Sequence, residues 1–279
     1  MIYIGATGYF RQDWISDFYT DKIKPKDWLF YYSRNFNAIE LSETQTQKLT
    51  RNYLYSIAAE SENKLKINIQ IPSDITHKNI NQLNISYNIS ESQKLAKDWE
   101  NLYFQSWLGR IIFDFPFSFK YSKENLNKVK MIVSYFMEYK KTIEFQHKSW
   151  ITQEVTEYLS NSSISVCLRD IPKLDNQIGM SDFLLTSDTP YFKLYGKNNE
   201  HWWNPAVPED KTDYIYNGKE MTYITAWIKK NILGHAKDAY IIFCNIKNAG
   251  AVKNGLDLRK RLKVQPAIIS DQLELPFVF

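Results

Sequence analysis

Residues 142–150 read TIEFQHKSW. Ile143 and Phe145 alternate with Thr142, Glu144 and Gln146, the period-two pattern of a strand with two different faces. A strand interior rejects a lone carboxylate, because an unpaired buried charge costs several kcal/mol. Glu144 therefore has to meet other polar groups, and the rest of the chain shows where they come from.

Strand-like runs recur at 2–6 (IYIGA), 37–41 (NAIEL), 65–71 (LKINIQI), 110–115 (RIIFDF), 142–146, 163–168, 191–195 (YFKLY) and 240–245 (YIIFCN). Amphipathic stretches fill most of the intervals, among them 26–36, 47–60, 91–108, 123–139, 151–162 and 222–233. Eight strands alternating with helices in a chain of this length predict an α/β fold, a (β/α)8 TIM barrel. A doubly wound open sheet would need a glycine-rich phosphate turn after the first strand, and GATGYF is not one. The chain is read as one domain over 1–279, ending in a tail at 270–279.

In a closed barrel, alternate strand residues face the helix ring and the interior. Placing apolar residues under the helices sends Ile39, Leu41, Ile67, Ile69, Ile71, Ile111, Phe113, Phe115, Ile143, Phe145, Phe192 and Leu194 outward. Glu40, Asn68, Gln70, Asp114, Glu144, Gln146, Tyr191, Lys193 and Tyr195 then point inward. The face of the last strand is ambiguous, with Asn245 at its C-terminal end. Most of this polar set converges near the C-terminal mouth, where barrel enzymes place their chemistry. Two readings follow: a ligand or catalytic pocket, or an ion-paired core without a reaction. One lysine against three carboxylates leaves excess negative charge, which favours a pocket.

The 279 residues are 44% hydrophobic and 15% aromatic, enough for a large core. Lys plus Arg number 35 against 31 Asp plus Glu, a net charge of +4 that demands no polyanionic partner. Cys167 and Cys244 lie in apolar strands and read as free thiols of a reducing compartment. No apolar run approaches the length of a membrane span, and the N-terminus lacks a signal-peptide pattern; the expectation is a cytoplasmic protein without a membrane partner. Glu100–Ser106 (ENLYFQS) matches the recognition sequence of a viral protease used to remove affinity tags. Leu95, Trp99, Leu102 and Trp107 keep a helical spacing through it, so it reads as part of a native helix.

IGATGY, AIEL, ITH, FDFPFSF, EFQHKSW, KLYGKN…WW…DYIY and FCN…AG…N, in this order over essentially the whole chain, resemble the YecE-like family, domain of unknown function 72. The resemblance implies a TIM-like barrel of unestablished activity, for which kinship with endonuclease IV-type barrels, and hence with DNA, has been suggested. It implies pocket or rim positions for Glu40, His77, Glu144, His147, Trp150, Asp170, Gly196 and Asn245. The chain departs from the family at Gln45 and Thr46 (usually Phe-Tyr), Gln70 (lysine), Asp114 (glutamine), Gln146 (arginine), Tyr195 (histidine) and Cys244 (asparagine). Losing two cations from the mouth weakens a phosphate-binding reading there.

His77 and His147, with Glu40, Glu144 or Asp114, could ligate a divalent metal, but an endonuclease IV-like cluster needs more histidines. Rim histidines making hydrogen bonds are the favoured reading, and no cofactor is assigned. The long loop 195–220 reads as a lid or binding wall. Its Trp202 and Trp203, beside lysines, suit stacking on bases or sugars, or else pin the loop to the barrel. In the tail, Gln272, Leu273, Leu275 and Phe277 resemble the peptide by which bacterial proteins dock on a sliding clamp; packing on its own barrel is the favoured alternative. The leading expectation is a hydrolase-like enzyme acting on a phosphodiester or sugar-containing ligand. In it Glu40 and Glu144 supply acid/base oxygens, Lys193 offsets anionic charge and His147 assists. The alternative is a non-catalytic, DNA-associated module tethered through its tail.

Overall fold

The period-two alternation resolves into eight parallel strands that close on one another in chain order. They are β1 (Ile2–Thr7), β2 (Ala38–Leu41), β3 (Lys66–Gln70), β4 (Leu108–Phe115), β5 (Lys141–Phe145), β6 (Ser165–Asp170), β7 (Tyr191–Leu194) and β8 (Ala239–Phe243). The structure is a computed structural model that describes residues 1–43, 48–78, 80, 86–180, 182 and 185–265. Gln45, Thr46 and the tail residues Gln272, Leu273, Leu275 and Phe277 lie outside the described residues.

The helices are α1 (Trp28–Asn35), α2 (Arg51–Glu60), α3 (Ser73–Thr76), α4 (Ser86–Asp98), α5 (Lys123–Ser134), α6 (Gln153–Asn161), α7 (Gly218–Asn231) and α8 (Gly250–Leu262). Sequence explains where several of them start. Thr50, Ser122 and Thr152 each accept a hydrogen bond from the first turn of α2, α5 and α6. Asn217 and Glu220 form a reciprocal capping box on α7. Such caps satisfy amide groups that have no partner within the helix. None of the amphipathic patterns read from sequence covers α8, whose glycines and cluster of basic residues dilute the apolar stripe.

The 91–108 stretch is not one helix. α4 ends at Asp98, and Asn101 adopts a left-handed φ of 68° before a short 3-10 turn at Leu102–Phe104. The apolar spacing nevertheless marks core residues: Trp99, Leu102 and Trp107 are buried, and the Trp99 indole donates to the Leu49 carbonyl at 2.7 Å. ENLYFQS is thus folded into the domain as a turn.

Outward strand residues form the core beneath the helices, as the alternation requires. Ile39, Ile67, Ile69, Phe113, Phe115, Ile143, Phe145, Phe192 and Leu194 are all buried there. Burying each such side chain contributes roughly 1.5–3 kcal/mol. Trp150 belongs to this layer, stacked on Phe145 at 4.0 Å with its indole N–H donating to the Phe119 carbonyl. The expected pocket role for Trp150 is therefore corrected: its ring pairs with an outward strand residue. A smaller cluster, with Ala38, Ile112, Cys167, Tyr191, Tyr240, Ile242 and Cys244, fills the interior. Both cysteines are free and buried.

Strand register sets up the mouth. Asp114 lies opposite Glu144 across β4 and β5, and Arg169 lies opposite Lys193 across β6 and β7. Partners at one level of a parallel pair share a face. Two acids and two bases therefore enter the top layer of the barrel as adjacent couples.

Candidate active site

The centre of the top layer is an ion network. Lys193 Nζ lies 2.7 Å from Glu40 Oε1 and 3.1 Å from Glu144 Oε2, and Arg169 Nε lies 2.8 Å from Glu144 Oε1. Two tyrosines complete it: Tyr191 donates to Glu40 Oε2 at 2.7 Å and Tyr195 to Glu144 Oε1 at 2.8 Å. Each of the four charged side chains is almost fully buried. Burial alone would raise the Glu144 pKa, but Lys193 and Arg169 outweigh it and hold the carboxyl down at about 2. Glu144 is a permanent anion at any ordinary pH.

These contacts correct the charge count made from sequence. Arg169, absent from the expected site residues, is a second interior cation, so the lysine does not face the carboxylates alone. Glu144 is sealed between two cations and does not open onto solvent, which removes it from acid/base duty. Lys193 is committed to Glu40 and Glu144. Arg169 was detectable: Val166 and Leu168 face the helices, so the same alternation that placed Glu144 inside also places Arg169 inside.

Asp114 differs from its neighbours. It is only partly buried, and its hydrogen-bond partner among the described residues is the Gln146 amide, which donates to Oδ1 at 3.0 Å. Burial, and then the Glu144 charge beside it, push its pKa up to about 7 against the pull of Lys193. With Asp114 protonated, Glu40 and Glu144 balance Lys193 and Arg169; a third negative charge would be unmatched.

Asp114 opens onto a cavity of about 540 Å³ on the mouth side of the barrel. Its walls include Glu40, Gln70, Lys193, Tyr195 and Cys244 from the strand ends, with Tyr9, Arg11 and Tyr53 from the first loop and α2. Pro208, Glu209 and Thr212 of the long loop form part of the wall, so that loop borders the site. Gly196 lets the loop leave β7: it has φ +91°, and a Cβ there would come within 2.4 Å of Tyr214 Cβ. Burial pushes the Cys244 thiol well up, which excludes it as a nucleophile at neutral pH.

The remaining expected residues are spread around the rim. His77 bonds the Thr76 hydroxyl through Nδ1 at 2.9 Å, and burial lowers its pKa while Glu144 opposes that. His147 caps the short turn at Lys148–Trp150, its Nδ1 accepting from the Ser149 amide at 3.0 Å. Neither histidine lines the described cavity. Asn245 faces away from the interior and bonds the Tyr214 carbonyl and Asn254, tying the long loop to α8. Asp170 also faces away, within 4.0 Å of Lys197, and burial raises its pKa. Trp202 is buried against Tyr195, with ring centroids 6.1 Å apart. Trp203 is about half exposed and meets Phe117 at 4.9 Å. Among the described residues, no three His, Cys, Asp or Glu side chains gather as a metal-ligand set. No helix among them is long and apolar enough to cross a membrane.

The sequence model of the family described as "Protein of unknown function DUF72" matches residues 3–276. The chain belongs to the DUF72 family. A DUF72 family protein from Thermotoga maritima superposes with a TM-score of 0.84 at 25% identity, covering 94% of this chain and 99% of that one. A DUF72 family protein from Enterococcus faecalis gives 0.79 at 18% identity, covering 95% and 96%. A xylose isomerase domain containing protein from Salmonella typhimurium shares the fold, with a TM-score of 0.52 at 12% identity over 85% of this chain and 90% of that one. No curated protein matches the sequence.

Proposed function

We propose that this DUF72 barrel is a hydrolase-like acid/base enzyme acting on a phosphodiester or sugar-containing ligand, with Asp114 as its proton-transferring group. The observation that carries the reading is the division of labour among carboxyls in one layer. Glu40 and Glu144 make ion pairs at 2.7–3.1 Å, whereas Asp114 faces the cavity with a neutral amide as its direct partner. A general acid or base works best when its pKa lies near the operating pH and the reacting atom can reach it. Asp114 meets both requirements, with its pKa near 7 and its position on the cavity wall.

In this reading Glu144 acts on Asp114 from a distance. Burial first, and then this fixed negative charge one strand away, keep the Asp114 proton on near neutrality. Protonated Asp114 can donate to a leaving oxygen; once ionised, it can take a proton from water. Gln70 and Tyr53 offer hydrogen-bonding groups along the wall for a hydroxyl-rich ligand. Polar groups that fix ligand orientation within a partly apolar cleft are the usual composition of such sites. The xylose isomerase domain of the Salmonella protein indicates shared architecture, and one architecture hosts many reactions.

The test uses chromogenic phosphodiesters and aryl glycosides with the full chain. For a substrate that turns over, Asp114→Asn should lower kcat/KM by about 100-fold or more, the scale of general acid/base catalysis. It should also abolish the ionisation near pH 7 in the wild-type rate profile. Turnover by the Asn variant at the wild-type rate, with an unchanged profile, would rule Asp114 out.

A further inference from the structure

A second cavity, of about 440 Å³, lies beside the one that holds Asp114, with Gln12, Asp13, Val207, Lys247 and Asn248 in its walls. Phe10, Arg11 and Glu209 line both cavities, so the two adjoin along these side chains. Phe10 is 60% exposed, which puts the shared edge at the surface, where a ligand can pass over it. Its ring is nevertheless held in place, with its centre 5.0 Å from that of the buried Trp28 and 6.3 Å from that of Tyr9. A flat aromatic ring fixed at the edge of two cavities is a ready contact surface for a ligand that spans them.

The charges along this path decide what can use it. Arg11 makes a two-pronged ion pair with Asp13, Nε to Oδ1 at 2.8 Å and Nη2 to Oδ2 at 3.2 Å, and lies 3.6 Å from Glu209. Lys247 Nζ lies 2.6 Å from Asp210 and 3.2 Å from Asp213. Lys193, the remaining cation of the two walls, is committed to Glu40 and Glu144. Every cation that lines the cavities is therefore already paired, and carboxylates outnumber Arg11 and Lys247 around them. A phosphodiester chain draws its affinity from lysines and arginines that neutralise its phosphates, and here it would meet excess negative charge. A neutral, hydroxyl-bearing chain meets carboxylate oxygens that accept its hydroxyl protons and an aromatic face that covers its C–H surface.

We propose that Phe10 is the platform of a second sugar subsite, and that the ligand is an uncharged oligosaccharide running from Asp114 across Phe10 into the adjoining cavity. The inference rests on the acid/base reading of the first cavity and selects the sugar-containing class over the phosphodiester. One sugar unit occupies the first cavity, and the following units stack on Phe10 and reach Gln12 and Asp13.

The probes are xylotetraose, cellotetraose and maltotetraose, each compared with its own monosaccharide by calorimetric titration of the full chain, with a short oligothymidylate as the polyanionic comparison. At least one tetrasaccharide should bind about tenfold or more tighter than its monosaccharide, the scale expected from covering one aromatic ring. Phe10→Leu, which keeps an apolar side chain but removes the flat face, should erase that advantage and leave the monosaccharide affinity unchanged. Phe10→Tyr, which keeps the ring, should retain it. Tyr223→Ala, at an exposed tyrosine of α7 that lines neither cavity, should change nothing. The subsite is overturned if no tetrasaccharide outbinds its monosaccharide, if the advantage survives in Phe10→Leu, or if the oligothymidylate binds and Phe10→Leu weakens it. The outcome is separable from the acid/base reading, because Asp114→Asn tests turnover while these titrations read binding alone. Absence of length dependence beside an intact Asp114 effect removes only the Phe10 subsite.

Discussion

The barrel interior holds buried arginines at two levels, and they are treated in opposite ways. Low in the barrel, Arg110 is satisfied by neutral acceptors: Nε donates to the Thr142 hydroxyl at 2.8 Å, and Nη2 donates to the Lys141 carbonyl. Burial drags its pKa down to about 10, against the opposing pull of Tyr240 and Tyr191. At the mouth, Arg169 meets the Glu144 carboxylate, and burial of its charge is outweighed, so its pKa rises. The lower level tolerates a cation by solvating it with dipoles, which suits a packed plug. The upper level sets charge against charge, and once those charges cancel, one further carboxyl is left facing the cavity without a matching cation.

That contrast breaks most visibly by mutation of the pairs. Glu144→Gln should destabilise the fold by about 3–5 kcal/mol, since two buried cations lose their shared anion. Arg110→Met should cost less, about 1–3 kcal/mol, because only neutral acceptors are abandoned. Urea denaturation of both variants gives the ranking; a larger loss for Arg110→Met would put the electrostatic weight at the wrong end of the barrel.

Acid should act on the upper level first. Glu144 has a folded pKa of about 2, below its ordinary 4.5. Its contribution is therefore fully present above pH 4.5 and is lost as pH falls from 4.5 towards 2. In Glu144→Gln that segment of the stability-versus-pH curve should flatten, whereas in Arg110→Met it should keep its slope.

Asp114 has the opposite sign. Its pKa is raised from 3.8 to about 7, so the folded state holds a proton that the unfolded chain releases. Stability should fall as pH rises from 4 through 7. Asp114→Asn should accordingly be more stable than the wild type at pH 8, by about 1–3 kcal/mol. An Asn variant less stable than the wild type at pH 8 would show that the carboxylate is favourably solvated there. The smallest effect is expected from Tyr195→Phe, which removes one hydrogen bond to an already paired Glu144 and should cost about 1 kcal/mol.

How much of this was legible in sequence depends on what alternation can report. Apolar residues at every second position of β2, β4, β5 and β7 assigned Glu40, Asp114, Glu144 and Lys193 to the interior, and the barrel closes with all four in its top layer. Alternation does not say who pairs with whom. That depends on register between distant strands, and Asp114 opposite Glu144 and Arg169 opposite Lys193 appear only in the fold. Leu168, packed beneath the helices, fixes the face of β6, so the same alternation places Arg169 inside and Asp170 outside. Asn245 and Asp170 are strand-end residues on the outward side, where they hold the long loop and the adjoining helices. His147 carries a residue type suited to catalysis but spends its ring nitrogen on a local turn. Phe10 had no sequence signal, since a place at the edge of two cavities is a property of three-dimensional surroundings.

The central claim is that neighbouring carboxyls of one layer, Asp114 and Glu144, have been driven apart in acidity. Carbon-13 NMR titration of the side-chain carboxyl signals, with Asp114→Asn and Glu144→Gln for assignment, reads this directly. The Asp114 signal should move with a midpoint near pH 7, while the Glu144 signal stays that of an ionised carboxylate throughout the range in which the protein remains folded. An Asp114 midpoint near its ordinary 3.8, or a Glu144 signal titrating at or above 4.5, would contradict the account.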